Sequence, residues 1–335
     1  MAKQWTAEQV LDLARSFQGA CVLTAAAELG IFDMLHPRAL PWANVRARLR
    51  SSSHGTRVLM DALVAMGILT KRGKLYGLAP GVAEALTEAS PTTVLPMVRH
   101  SGVCLRKWAQ LAEVVKTGRS ARAIPSIRGE AADRAAFIGA MHVINLKAAP
   151  ELVASLGPPR FKHLLDVGGG SGTWTIAFLR AAPDATATLF DLPEVIPMAR
   201  ERLATEGLAD RVTLAAGDYT RDRLPPGADL AWVSAIVHQE TILDVRRLFR
   251  SVHRALEPGG RILIRDIVMH PSRTRPAMGA LFAVNMLAAS EGGGTYTFAE
   301  LAHALKSAGF VRPRLVRKAE DMSAVVGATK PHRRL

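Results

Sequence analysis

The chain is poor in cysteine, in aromatic residues and in long apolar runs. Of its 335 residues only Cys21 and Cys104 are cysteines, and aromatics make up 5%. Two thiols so far apart cannot build a disulfide framework, so a small stapled secreted fold is excluded and a reducing, cytoplasmic setting is expected. No apolar run reaches the roughly 20 residues of a membrane span, and the N-terminus lacks a signal-peptide layout, so no membrane partner is expected. No Gly-Lys-Ser/Thr triplet occurs, which removes the phosphate-cradling P-loop. No His-x-x-x-His or Cys-x-x-Cys pair occurs either, so although His142, His238 and Asp266 are chemically able to hold a metal, none is expected.

Basic residues, in contrast, are in excess. The formal net charge is +14, which raises nucleic acid as a partner. The excess is spread along the chain, +4 over residues 1–100, +4 over 101–159 and +6 over 160–335. A binding stripe would concentrate it, so no nucleic-acid partner is expected.

Residues 163–172 read His-Leu-Leu-Asp-Val-Gly-Gly-Gly-Ser-Gly, a short apolar strand running into a glycine loop. Such a loop lets a ligand lie against bare backbone at the mouth of an α/β sheet. Gly168, Gly170 and Gly172 fall at every second position, two residues after Asp166, and Asp191 ends the next apolar strand. This is not the G-x-G-x-x-G of a dinucleotide site. D-x-G-x-G-x-G with a following acid suits a nucleoside ligand without phosphates, which matches S-adenosylmethionine. Asp191 is placed to accept hydrogen bonds from ribose hydroxyls, as an acid does for NAD.

Residues 21–35 place Val22, Ala25, Ala26, Leu29, Phe32 and Leu35 on one helical face ended by His36-Pro37. Residues 56–66 repeat the pattern with Leu59, Ala62, Leu63 and Met66, ended by Gly67. Two short apolar runs around Lys71-Arg72-Gly73-Lys74 then read as a hairpin, which completes a winged-helix pattern. Arg57 is the only basic or amide side chain on the candidate recognition helix, so dimerisation is favoured over DNA reading. Residues 100–158 read as helices broken near Gly118 and Pro125, with a boundary at Gly157-Pro158-Pro159. Three regions result: 1–100, 101–158 and 159–335. The last alternates strands (163–167, 186–191, 211–216, 229–235, 261–267) with helices (173–182, 194–206, 242–256), the pattern of a doubly wound, mostly parallel α/β sheet. Apolar stretches near 311–317 and 323–328 would finish it.

By these residues the chain resembles the S-adenosylmethionine-dependent small-molecule O-methyltransferases that carry an N-terminal winged-helix dimerisation domain. The resemblance rests on Ala27-Glu28-Leu29-Gly30-Ile31-Phe32-Asp33, on Leu63-Val64-Ala65-Met66-Gly67-Ile68-Leu69 followed by Tyr76, and on the glycine loop. It continues through Phe190-Asp191-Leu192-Pro193, Gly217-Asp218-Tyr219, Leu256-Glu257-Pro258-Gly259-Gly260 and Ala308-Gly309-Phe310. It implies a Rossmann-like class I methyltransferase fold, S-adenosylmethionine as methyl donor, a small-molecule acceptor and a homodimer formed through the N-terminal domain. It also implies that Asp166, Gly168, Gly170, Gly172, Asp191, Leu192, Asp218, Tyr219 and Ser234 hold the cofactor, with Asp218 facing the adenine amino group and Tyr219 packing on the ring.

The resemblance makes His238 the general base, with Asp266 as its partner. A phenol has a pKa of roughly 10, so near neutral pH it needs help to become a nucleophile, and histidine titrates close to that range. The competing reading is a histidine that caps the following helix. Three neighbours depart from the family pattern. Gln239 stands where aspartate is common, Asp266 replaces a glutamate, and Thr295 in Gly292-Gly293-Gly294-Thr295 stands where a second glutamate usually lies. Glu291 is the nearest acid to that position. An acceptor nitrogen, sulfur or carbon, or a family member that binds the cofactor without methylating, therefore stays open as the alternative. Phe137, Met141, His142 and Asn145 on one helix, and Met278, Phe282, Asn285 and Met286 on another, are expected to form the acceptor pocket.

Overall fold

The computed structural model describes residues 4–157 and 160–332. The expected boundary at Pro158-Pro159 lies outside the described residues. The chain forms two compact units, one of residues 1–106 with 123–144 and the other of residues 107–122 with 145–335. The helices of the 101–158 region are thus divided between the two.

The first unit opens with α1 (Ala7–Arg15), held by a capping box in which Thr6 and Gln9 bond each other's backbone, followed by α2 (Phe17–Leu29) and α3 (Ile31–Met34). The sequence pattern predicts one helix across 21–35, but Gly30 adopts φ 70° and ends α2. A residue without Cβ takes that left-handed turn at little cost, and the apolar face resumes in α3. Then come β1 (Leu40–Pro41), α4 (Trp42–Leu49), α5 (Ser53–Ala65), β2 (Leu69–Arg72), β3 (Leu75–Leu78), α6 (Val82–Leu86) and α7 (Leu95–Trp108). The antiparallel order is β1-β3-β2. Ala26, Ala27, Ile31, Phe32, Val45, Met60, Leu63 and Tyr76 make the core. Met66, expected on the apolar face of α5, is exposed because α5 stops one residue before it. Along α1 and the start of α2, Val10, Leu11, Leu13 and Phe17 are all more than half exposed.

The next helices are α8 (Leu111–Thr117), α9 (Glu130–Leu146) and α10 (Ala148–Ser155). The second unit then alternates β4 (His163–Val167), α11 (Thr173–Ala181), β5 (Thr186–Asp191), α12 (Ile196–Thr205), β6 (Val212–Ala216), β7 (Ala228–Ser234), α13 (Ile242–Ala255) and β8 (Leu256–Arg265). It ends with β9 (Val268–Met269), α14 (Ala277–Ala289), β10 (Tyr296–Thr297), α15 (Phe298–Ser307), β11 (Val311–Arg317) and β12 (Val325–Thr329). The seven-stranded sheet runs β11-β12-β8-β7-β4-β5-β6, parallel except for β12, which is antiparallel to both of its neighbours. Strand order reverses at β4, so the crevice at its carboxyl end is the place for a ligand. One face of the sheet packs Val233, Ile262 and Ile264 with α13 and α15, and the other packs Leu164, Leu230 and Trp232 with α10 and α11. Edge strand β11 carries Arg312, Arg314 and Arg317 and is largely exposed, a charged edge that resists pairing with other chains.

Candidate active site

The loop after β4 is packed below and open above. Gly168, Gly170 and Gly172 have φ of 66°, 57° and 85°. A Cβ on Gly168 would lie 2.5 Å from Ile236 Cδ1, and one on Gly169 would lie 2.6 Å from Leu189 Cγ. At Gly170 an added Cβ meets nothing within 4 Å. Asp166 sits beneath the loop, 1% exposed, and accepts a 2.6 Å hydrogen bond from the Thr175 hydroxyl. Burial pushes its pKa up to about 7. Asp191 accepts the Gly170 N–H on one carboxylate oxygen and the Leu192 N–H on the other, each at 2.7 Å. Burial raises its pKa in spite of these two donors. Leu192 itself is 40% exposed.

After β6, Asp218 Oδ1 accepts the Thr220 hydroxyl and backbone N–H, and these bonds hold the carboxyl below its usual range. The neighbouring Tyr219 is half-buried against the core and donates its hydroxyl to Glu240 Oε1 at 2.8 Å. Ser234 ends β7 facing inward, where its hydroxyl accepts from Arg265 Nη1 at 3.2 Å. That guanidinium lies 4.6 Å over the Trp174 ring, and burial lowers its pKa to about 10.

His238 lies in a one-turn 3-10 helix, Val237–Gln239, just past the end of β7. Its Nδ1 is 2.9 Å from both carboxylate oxygens of Asp266, and both residues are buried. Asp266 Oδ1 also accepts the Ile267 N–H at 2.8 Å. A carboxylate in this place accepts the Nδ1 proton and leaves the Nε2 lone pair available. The ring of Phe282 meets the imidazole edge to face at 4.8 Å. Thr241 caps α13 by accepting the Asp244 N–H, so His238 is not that helix's cap.

The remaining expected residues divide between the units. On α14, Asn285 Oδ1 accepts the indole N–H of Trp108 at 2.7 Å, Met286 is buried and Met278 is 48% exposed. Asn145 is buried in the same unit. Phe137, Met141 and His142 belong to the first unit, where Phe137 packs on His100 with ring centroids 5.1 Å apart. Thr295 is buried, its hydroxyl 3.5 Å from the Gly279 carbonyl, while Gln239 and Glu291 are exposed. Among the described residues no group of three His, Cys, Asp or Glu could hold a metal.

Sequence reasoning missed Trp108, Glu240, Tyr296 and the role of the glycine run at 292–294. The Gly294 N–H donates to the His238 carbonyl at 2.8 Å, and a Cβ on Gly293 would lie 2.8 Å from that same oxygen. Three consecutive glycines were the available signal of a close backbone approach. Nothing local marks Trp108, whose partner is 177 residues away.

The profile of the O-methyltransferase domain family matches residues 108–311, and that of the O-methyltransferase dimerisation domain matches residues 11–89. The chain belongs to the O-methyltransferase family. Among related proteins, the tetracenomycin polyketide synthesis 8-O-methyl transferase TcmO of Streptomyces glaucescens is 33% identical over 91% of each chain. Human N-acetylserotonin methyltransferase, solved in complex with S-adenosylmethionine, superposes with a TM-score of 0.79 at 28% identity, covering 99% of this chain and all of that one. The N,N-8-amino-8-demethyl-D-riboflavin dimethyltransferase RosA from Streptomyces davawensis superposes with a TM-score of 0.78 at 26% identity, covering 98% of this chain and all of its own.

As an O-methyltransferase family member the chain is an S-adenosylmethionine-dependent enzyme with the class I fold expected from its sequence. Its site fits that cofactor. The loop is open at Gly170, a carboxylate stands beside it at Asp191, and residues 163–175 hold no lysine or arginine for a phosphate. No described helix is long and apolar enough to cross a membrane.

Proposed function

We propose that the enzyme methylates a hydroxyl of a small aromatic metabolite, with His238 as general base and Asp266 as its orienting partner. The buried His238–Asp266 pair carries this reading. When bound, S-adenosylmethionine supplies an electrophilic methyl carbon on a sulfonium. The backbone of Gly168–Gly172 holds the cofactor's amino-acid portion from one side, and Asp166 supports that loop from below through Thr175. Asp191 takes the ribose hydroxyls on its remaining lone pairs, and Asp218 and Tyr219 take the adenine. His238 Nε2 receives the acceptor's hydroxyl proton as its oxygen attacks, and Asp266 stabilises the imidazolium that forms. Little electrophilic assistance is needed, so alignment of the acceptor is the enzyme's main contribution. Phe282 beside the imidazole and Asn285, its carbonyl oxygen already taken by Trp108, line the acceptor side. Asn145, buried in the same unit, is proposed to join them.

A homodimer through the N-terminal unit is part of the same proposal. The dimerisation-domain match and the exposed apolar residues of α1 and α2 support it, because a second copy would cover Val10, Leu11, Leu13 and Phe17. The helices and β2–β3 hairpin of this unit would then serve as a winged-helix pairing module, in a cytoplasmic enzyme whose two cysteines form no disulfide.

A second reading, transfer to an amine, has its own support. Thr295 offers no carboxylate to the base, and RosA is by name an amine dimethyltransferase. Incubating the protein with labelled S-adenosylmethionine and a panel of phenols, arylamines and thiols, scored by product mass, tests both. Label appearing on a phenol oxygen is the expected result. Label on nitrogen alone replaces the first reading with the second, and no transfer to any of them ends both.

A further inference from the structure

Glu240 stands two residues beyond His238 and joins two parts of the molecule that no local sequence links. Its carboxylate accepts the hydroxyl of Tyr219, next to Asp218 at the end of β6. Its main-chain carbonyl accepts the hydroxyl of Tyr296, which follows the glycine run, at 2.5 Å. The turn between His238 and Glu240 is thereby gripped twice from the 292–297 segment, by Gly294 N–H on the His238 carbonyl and by Tyr296 on the Glu240 carbonyl. Gly293 lets that segment approach so closely, since a Cβ there would also lie 3.1 Å from the Gln239 carbonyl. Among the described residues Glu240 has no ion pair. A half-buried carboxylate without a cation, bonded by a phenol, is held in place by geometry and not by a charge partner. Burial raises the pKa of both tyrosines, Tyr296 to about 12, so both phenols remain donors at neutral pH.

We propose that Glu240 is a positioning residue that couples occupancy of the adenine end of the cofactor site to the His238 turn and the 292–297 segment. The inference rests on the placement of adenine beside Asp218 and Tyr219 proposed above. Adenine settling on Tyr219 restrains its ring. Through the Tyr219–Glu240 bond that restraint reaches the turn carrying the base, and through Gly294 and Tyr296 it reaches the segment packed on that turn. Coupling of this kind requires that both ends bias one element, and here the element is the single turn from His238 to Glu240.

Hydrogen–deuterium exchange with S-adenosylhomocysteine as the probe tests this without turnover, with calorimetry on the same samples. In the unaltered protein the probe should slow exchange both in 217–220 and in 292–297, where the Gly294 amide reports directly on the His238 carbonyl. In Glu240→Ala, slowing should persist at 217–220 with probe affinity within about threefold, but vanish at 292–297. Tyr219→Phe removes one hydroxyl and should give the same loss if the alanine variant fails to fold. Glu240→Gln keeps an acceptor oxygen for Tyr219 and should restore the response. Slowing that persists at 292–297 in both Glu240→Ala and Tyr219→Phe overturns the coupling. A collapse of probe affinity in Glu240→Ala also overturns it, because Glu240 would then act on the cofactor directly. If the unaltered protein binds the probe with no slowing at 217–220, the adenine placement itself falls and the inference with it.

Discussion

In the proposed site Gly168–Gly172 would meet the cofactor with backbone, whereas His238 would meet the acceptor with a side chain held by Asp266 from 28 residues away. The proposed cofactor end is centred on consecutive residues, the end of β4 and its glycine loop, with Asp191 at the end of β5 and Asp218-Tyr219 after β6 beside it. The proposed acceptor end draws on the end of β7, the end of β8, α14, a glycine run and Trp108. A site built from adjacent residues tolerates little change at any one of them. A site assembled from distant elements can change its acceptor by altering one element while leaving the rest in place. That contrast fits a family whose cofactor is shared and whose relatives here are named for a polyketide synthesis, N-acetylserotonin and an amino-substituted riboflavin.

The widest separation of the two ends should come from His238→Ala. Turnover is expected to fall by roughly 10²–10⁴-fold, the range for a lost general base, while S-adenosylhomocysteine affinity by calorimetry stays within about threefold. Full turnover in this variant would leave alignment alone as the catalytic device. Asp191→Ala should do the reverse. Losing hydrogen bonds to a charged group should weaken the probe's binding by roughly 10–100-fold, with saturated turnover changed far less. Unchanged affinity would remove the ribose role.

The smallest effect is on stability and concerns the support beneath the glycine loop. Burial keeps Asp166 protonated up to about pH 7 in the folded protein, against 3.8 as the ordinary value. The folded state binds the extra proton between those two values, so this contribution is complete below 3.8 and is lost as pH rises through about 7. Asp166→Asn, which keeps an acceptor for the Thr175 hydroxyl, should flatten the dependence of Tm on pH across that window, by a few degrees at most. A variant whose Tm follows the parent's pH profile would show that Asp166 ionises freely in the folded state.

Most of the second unit was legible because its signals are local. The strand ending at Val167, the glycines after it and the acid at Asp191 all lie within one β-α-β stretch, and the structure has them in one crevice. Boundaries moved where tertiary packing overrode pattern. β8 runs back to Leu256, five residues before its expected start, because Leu256 pairs with Ala228 of β7. The face drawn across 21–35 was right in composition but blind to the left-handed turn at Gly30.

The sequence by itself determined the α/β alternation, the cofactor loop and the candidacy of His238 and Asp266, because strand period, glycine spacing and family motifs are written in consecutive residues. Only the tertiary structure decided what surrounds His238. Phe282 against its ring, Gly294 on its carbonyl, and Glu240 held between Tyr219 and Tyr296 are contacts between segments far apart in the chain. Nothing in the spacing of residues encodes such meetings, since they arise when separate helices and loops pack over one end of the sheet.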